Sequence, residues 1–179
     1  MNYPQATLND YLHALTAKDL DNELWHFALN FYAKKGVSQR LLLLQDNHQL
    51  NVNYLLFIYW LKDQQLIIHN EFFEPLLAII LCMDEQYLEP IRRLRKNVKT
   101  WPVSPAPYQH CKSLELQLEQ HQIALIYRYF NQHRSSLDHK ATITNNEAFF
   151  FWLDQEKAKN IFLLLNEISD LSGMPNAQE

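Results

Sequence analysis

LLLLQDNHQLNVNYLLFIYWL, residues Leu41–Leu61, decides the fold of this chain. Two dense apolar runs flank a short polar junction, Asp46-Asn47-His48-Gln49-Leu50-Asn51-Val52-Asn53. Val37, Leu41 and Leu44 recur at helical spacing, which predicts a helix from Val37 or Ser38 to about Asn47. The second run, Val52–Asp63, is apolar on nearly every face, with Asn51 placed to cap it. A short helix without a wet face is a central one, packed on several sides.

Working outward, Leu24, Phe27, Ala28 and Phe31 form one stripe over Glu23–Lys34, with His26, Asn30 and Lys34 on the opposite face. Gly36 stands where a C′ residue ends that helix. Thr7 with Asp10 reads as a capping box opening a short helix over Leu8–Leu15. A polar linker, Thr16–Asn22, follows, in which Asp21 or Asn22 caps the next helix. Downstream, Asn70 is placed to cap a helix through Phe72–Cys82, with Pro75 near its start. Asp84 opens another helix ending near Thr100, in which Pro90 implies a kink or a start at Glu89.

Trp101–Tyr108 (WPVSPAPY) holds three prolines and forces an extended connection. A long helix is expected from about Lys112 to Arg134, with Leu116, Ile123, Tyr127 and Phe130 on one face. A polar loop over Ser135–Asn145 and a last helical region, Glu147–Leu171, with a break near Asp154–Glu156, complete the chain before a frayed tail. The expectation is a single all-α domain, a bundle of about seven helices around residues 52–61. Residues 1–22 form a short helix and linker, 23–171 the helical domain with its proline-rich connection at 101–108, and 172–179 a flexible tail.

Composition excludes several classes. Apolar residues make up 47% and charged residues 20% of 179, an ordinary globular balance. Two glycines are few against a usual share of about 7%, so tight hairpins, a dinucleotide fingerprint and a phosphate-cradling loop are not expected. A formal charge of −4 predicts no general attraction to nucleic acid or anionic membrane. Met1–Asp10 lacks the basic and apolar regions of a secretory signal, and Tyr54–Leu61 is well short of the ~20 residues that span a bilayer. No membrane insertion is therefore expected. Cys82 and Cys111 do not make a disulfide framework, and the cytoplasm is the expected location.

Two constellations carry polar chemistry. At the junction, His48 continues the Val37, Leu41, Leu44 stripe and so faces the core beside a helix N-terminus. One reading makes Asp46, His48 and Asn51 a small-molecule enzyme pocket in which Asp46 orients His48 for proton exchange. The other makes them partners for orphan amides and carbonyls where two helices meet. The second constellation is Pro90–Lys99. Arg92, Arg93, Arg95, Lys96 and Lys99 contribute +5, which leaves −9 for the rest of the −4 chain. Helical spacing groups Arg92, Arg95, Lys96 and Lys99 on one side, with Ile91, Leu94 and Val98 opposite. Such a face suits carboxylate or phosphate. It predicts a non-enzymatic binding or adaptor protein engaging an acidic protein or a small anionic ligand. Charge reversal at Arg92 and Arg95 is then expected to abolish capture and spare the fold. An RNA- or lipid-binding role is the weaker alternative, because the negative remainder disfavours nucleic acid.

The eight histidines form no HxxxH or HExxH pattern, and no CxxC is present, so no metal or cofactor is expected. His121 shares a stripe with Leu114, Leu118 and Leu125 and reads as packed. Tyr32, Tyr108 and Trp101 are the aromatics most suited to a partner surface.

The residues Leu24-Trp25-His26-Phe27-Ala28-Leu29-Asn30-Phe31-Tyr32, Gly36-Val37, Leu44-Gln45-Asp46, Asn51-Val52-Asn53-Tyr54-Leu55-Leu56-Phe57, Trp60-Leu61 and Pro90-Ile91-Arg92-Arg93-Leu94-Arg95 carry a resemblance. The chain resembles the short helical proteins of gammaproteobacteria known only as a domain of unknown function. The resemblance covers about Leu24 to Lys99 well and the C-terminal half weakly. It implies an all-helical bacterial cytoplasmic protein, and it brings no activity, cofactor or catalytic residue with it.

Overall fold

The computed structural model describes residues 5–66, 70–102, 104–134 and 155–174. Every regular element among the described residues is a helix. At the centre is α5, Val52–Asp63, whose residues Val52 through Leu61 are all buried. The Asn51 side chain accepts from the Tyr54 amide at 2.8 Å, so the cap forms as its sequence position predicts. Around α5 pack α3 (Glu23–Tyr32), α4 (Val37–His48) and α8 (Ala106–His133). Phe57 meets Trp60, Phe72 and Phe130, and Tyr59 donates to the Leu165 carbonyl at 2.8 Å. Each such fully buried side chain contributes roughly 1.5–3 kcal/mol. This apolar centre sets the fold.

The approach to α3 differs from the sequence expectation. Helix α1, Gln5–His13, begins before Thr7 and ends before Leu15. The expected linker contains a turn of helix, α2 (Ala17–Leu20), because the Asp19 carboxylate accepts from both the amide and the hydroxyl of Thr16, at 2.7 and 2.6 Å. Those bonds hold the Asp19 carboxyl below its ordinary range. Asn22 then caps α3, accepting from the Trp25 amide at 2.8 Å.

Gly36 is not the C′ residue of α3, whose C-cap is Ala33; it is the N-cap of α4, with φ 85°. A Cβ there would lie 3.1 Å from the Leu171 side chain, which belongs to α9 (Gln155–Ser172). Helix α9 packs on α4, and Arg40 donates to Glu167 at 3.0 Å between them.

Helix α6, Asn70–Met83, carries Pro75 in its second turn. Asp84 caps no helix, and the next α-helix starts at Glu89, as one of the two readings of Pro90 has it. The chain runs through a π-helical segment, Asp84–Leu88, directly into α7, Glu89–Val98. The Glu89 amide donates to the Asp84 carbonyl, a wider ring than the α-helical one, and Pro90 follows with no amide to place. After the proline-rich connection, α8 packs against α7. The loop expected over Ser135–Asn145, the start and break of the last helical region at 147–154, and the tail beyond residue 174 lie outside the described residues.

Candidate functional site: a basic helix locked over a buried carboxylate stripe

The sequence predicts that Ile91, Leu94 and Val98 face inward and the arginines outward. The helix is rotated away from that arrangement. Arg92 is buried, only 6% exposed, whereas Leu94 is 46% exposed. The reason lies on α8, where Glu115, Glu119 and Gln122 recur at i, i+4, i+7 and the two glutamates present carboxylates to α7. Arg92 donates from Nη1 to Asp84 Oδ1 at 3.2 Å and from Nη2 to Glu119 Oε1 at 3.3 Å. Its Nε lies 3.5 Å from Glu115 Oε1 and makes no hydrogen bond. Arg95 closes a fork on Glu115, with Nε to Oε2 and Nη2 to Oε1 at 3.1 Å.

Three carboxylates therefore surround two guanidinium groups. Burial raises the Glu119 carboxyl above its ordinary value, against the pull of Arg92 beside it. The Tyr32 phenol, on α3, is raised by burial and by the neighbouring Glu119 and Glu115 charges. The Glu115 hydrogen bond holds Arg95 firmly protonated.

A neutral polar layer continues inward from these charges. Asn51 Nδ2 donates to Asp84 Oδ2 at 2.8 Å and to Gln122 Oε1 at 3.1 Å. Asn53 Nδ2 donates to the same Gln122 oxygen at 2.8 Å, while Gln122 Nε2 donates to the Ile80 carbonyl at 3.2 Å. The junction and the basic helix, separate in sequence, thus share one network through Asp84. Asn51 has its oxygen on the α5 cap and its amide in the network.

The other junction candidates lie apart from it. Asp46 is exposed and reaches Lys96 across 3.9 Å; His48 is half-buried in the last turn of α4. No hydrogen bond among the described residues joins His48 to Asp46 or Asn51, so the expected orientation of His48 by Asp46 does not form.

Arg93, Lys96 and Lys99 of α7 are exposed, as is Leu94; Lys96 and Lys99 lie on the flank of the helix that Arg92 and Arg95 share. Trp101, 58% exposed, follows in the turn after the helix, and Tyr108 is half-buried. Sequence reasoning missed Asp84, Glu115, Glu119 and Gln122. The signal was present: the polar triplet on α8 extends a line that the buried Ile126 and Tyr129 continue. Leu116, expected inward, is 51% exposed as a consequence.

Among the described residues no three His, Cys, Asp or Glu side chains gather to hold a metal ion, and no helix is long and apolar enough to cross a membrane. An open polar depression of about 490 Å³, lined by Asp19, Glu23, Tyr127 and Arg128 among others, contains none of the sequence candidates.

No curated protein and no solved structure matches the chain. A family model described as "Protein of unknown function (DUF2390)" matches residues 23–126, from the start of α3 into the middle of α8, which is more than half of the chain. The matched span includes every residue of the Asp84, Arg92, Glu115, Glu119, Gln122 network, and the chain belongs to this family of proteins of unknown function.

Proposed function

We propose that this is a non-enzymatic binding protein of the bacterial cytoplasm that engages an acidic protein through the exposed cations of α7. The supporting observation is the division of labour along that helix. Arg92 and Arg95 are consumed by Asp84, Glu115 and Glu119, while Arg93, Lys96 and Lys99 stand in solvent with no acidic residue between Pro90 and Thr100. The inward pairs fix the helix against α8, so the outward cations are held in register by a rigid scaffold. Free, buried Cys82 and Cys111 suit a reducing compartment.

The test is fluorescence anisotropy with labelled poly-L-glutamate. The native protein binds it at low salt and loses affinity as salt rises. Arg93→Glu, Lys96→Glu and Lys99→Glu together abolish binding and leave the circular dichroism spectrum unchanged. Undiminished binding by the triple variant, or no binding by the native protein, overturns the proposal. Arg92 and Arg95 are unsuitable for this test, because reversing them places like charges against Glu115 and Glu119 inside the fold.

A further inference from the structure

We infer that the acidic partner carries bulky apolar side chains between its carboxylates, and that Leu94 and Trp101 are their seats. This rests on the reading that α7 engages an acidic protein. Leu94 and Trp101 are both largely exposed. Past Val98 the chain makes one further turn, with the Lys99 amide on the Arg95 carbonyl and the Trp101 amide on the Val98 carbonyl, at 3.1 Å each. Seven residues apart on that path, Leu94 and Trp101 share one side of the helix, about 10 Å from one another along its axis. Arg93 flanks them on the solvent face, and Lys96 lies beyond it.

A lone exposed leucine is ordinary. An exposed leucine and tryptophan beside the exposed Arg93 make a mixed surface, apolar on one edge and basic on the other. Charge alone gives weak contacts that salt screens, whereas an aromatic anchor at an interface supplies the part that salt does not remove. The complementary ligand is a short acidic segment with two large apolar side chains spaced about two helical turns apart.

An anionic bilayer is the poorer fit. A helix lying in the lipid interface needs a broad apolar face, and here the apolar pair occupies an edge while Arg93, Asn97 and Thr100 occupy the middle.

The experiment uses the full chain and two fluorescent peptides rich in Asp and Glu, one with two leucines seven residues apart and one with serines there. Vesicles of phosphatidylserine and phosphatidylcholine form a third arm. The leucine peptide binds about 10-fold more tightly than the serine peptide. Leu94→Ala and Trp101→Ala each remove most of that difference and leave serine-peptide binding unchanged. Equal binding of the two peptides, still lost on reversing Arg93, Lys96 and Lys99, overturns the apolar seats and leaves the acidic-partner reading standing. Binding of neither peptide overturns both. Vesicle binding that exceeds peptide binding overturns the inference in favour of a lipid surface.

Discussion

Asn51 and Arg92 hold the two oxygens of a single carboxylate. Asn51 Nδ2 donates to Asp84 Oδ2 at 2.8 Å, and Arg92 Nη1 donates to Asp84 Oδ1 at 3.2 Å. Asp84 opens the π-helical segment, so the point where the long α6–α7 path changes its winding is also where the α5 cap and the basic helix are joined. A π-bulge re-aims the residues beyond it relative to a continuous α-helix. Here that turn faces Arg92 and Arg95 toward α8.

Removing Arg92 tests how much the pairing stabilises. Arg92→Met leaves Asp84 and Glu119 without their cation in a mostly buried setting, and loss of about 3–5 kcal/mol in urea unfolding is expected. Arg93→Met, one residue away on the exposed side, should change stability by no more than about 0.5 kcal/mol. Equal effects at the two positions would show that the rotation of α7 is misassigned.

Gln122 is fully buried and bonds Asn51, Asn53 and the Ile80 carbonyl. Gln122→Leu keeps the volume and removes the acceptor shared by Asn51 and Asn53 and the donor to the Ile80 carbonyl; a loss of about 2–4 kcal/mol is expected. Gln122→Glu places a carboxylate against the Ile80 carbonyl. Its folded-state pKa is raised, so this variant regains stability relative to the native protein as pH falls toward the glutamate range. Denaturation at several pH values separates the two variants.

Glu119 carries a sign that an exposed carboxylate in an ion pair would not. Its carboxyl is raised, chiefly by burial, so the folded state binds the proton more tightly than the unfolded one. Its contribution is fully present below the ordinary glutamate value and is lost as pH rises through the folded value. Glu119→Gln should flatten the pH dependence of stability just above the ordinary glutamate range. NMR titration of the side-chain carboxyl should place Glu119 above, and Asp19 below, their ordinary values.

The two glycines separate backbone strain from crowding. Gly36 and Gly173 both have positive φ, 85° and 71°, but only at Gly36 does an added Cβ meet a neighbour, Leu171. Each alanine substitution should cost about 1–2 kcal/mol for the left-handed backbone. Gly36→Ala should cost more than Gly173→Ala, and Leu171→Ala should recover part of the excess in a double-mutant cycle.

Where the sequence was legible, the physics was local. Asn51 and Asn22 cap helices because an acceptor at that position satisfies an amide three residues on. Val37, Leu41 and Leu44 are buried because their spacing puts them on one face of α4. Leu94 shows the limit. Its i, i+4 partner Val98 is buried as expected, yet the carboxylates of Glu115 and Glu119 attract Arg92 and Arg95 more strongly than the core attracts one leucine. That competition involves α8, and nothing in residues 89–98 reports it. Thr16 and Asp19 are a different case: the capping pair was in plain view, and its turn of helix was too short to stand out in a polar stretch.

Helix α7 is held by Arg92 and Arg95, and the proposed binding works through Arg93, Lys96 and Lys99. One experiment addresses both halves: urea unfolding and acidic-peptide binding, measured on Arg92→Met and on the Arg93→Glu, Lys96→Glu, Lys99→Glu triple variant. Arg92→Met should lose stability while its folded fraction still binds, and the triple variant should keep its unfolding midpoint while binding disappears. A triple variant that unfolds early, or one that is stable and still binds the peptide, would contradict this division of roles.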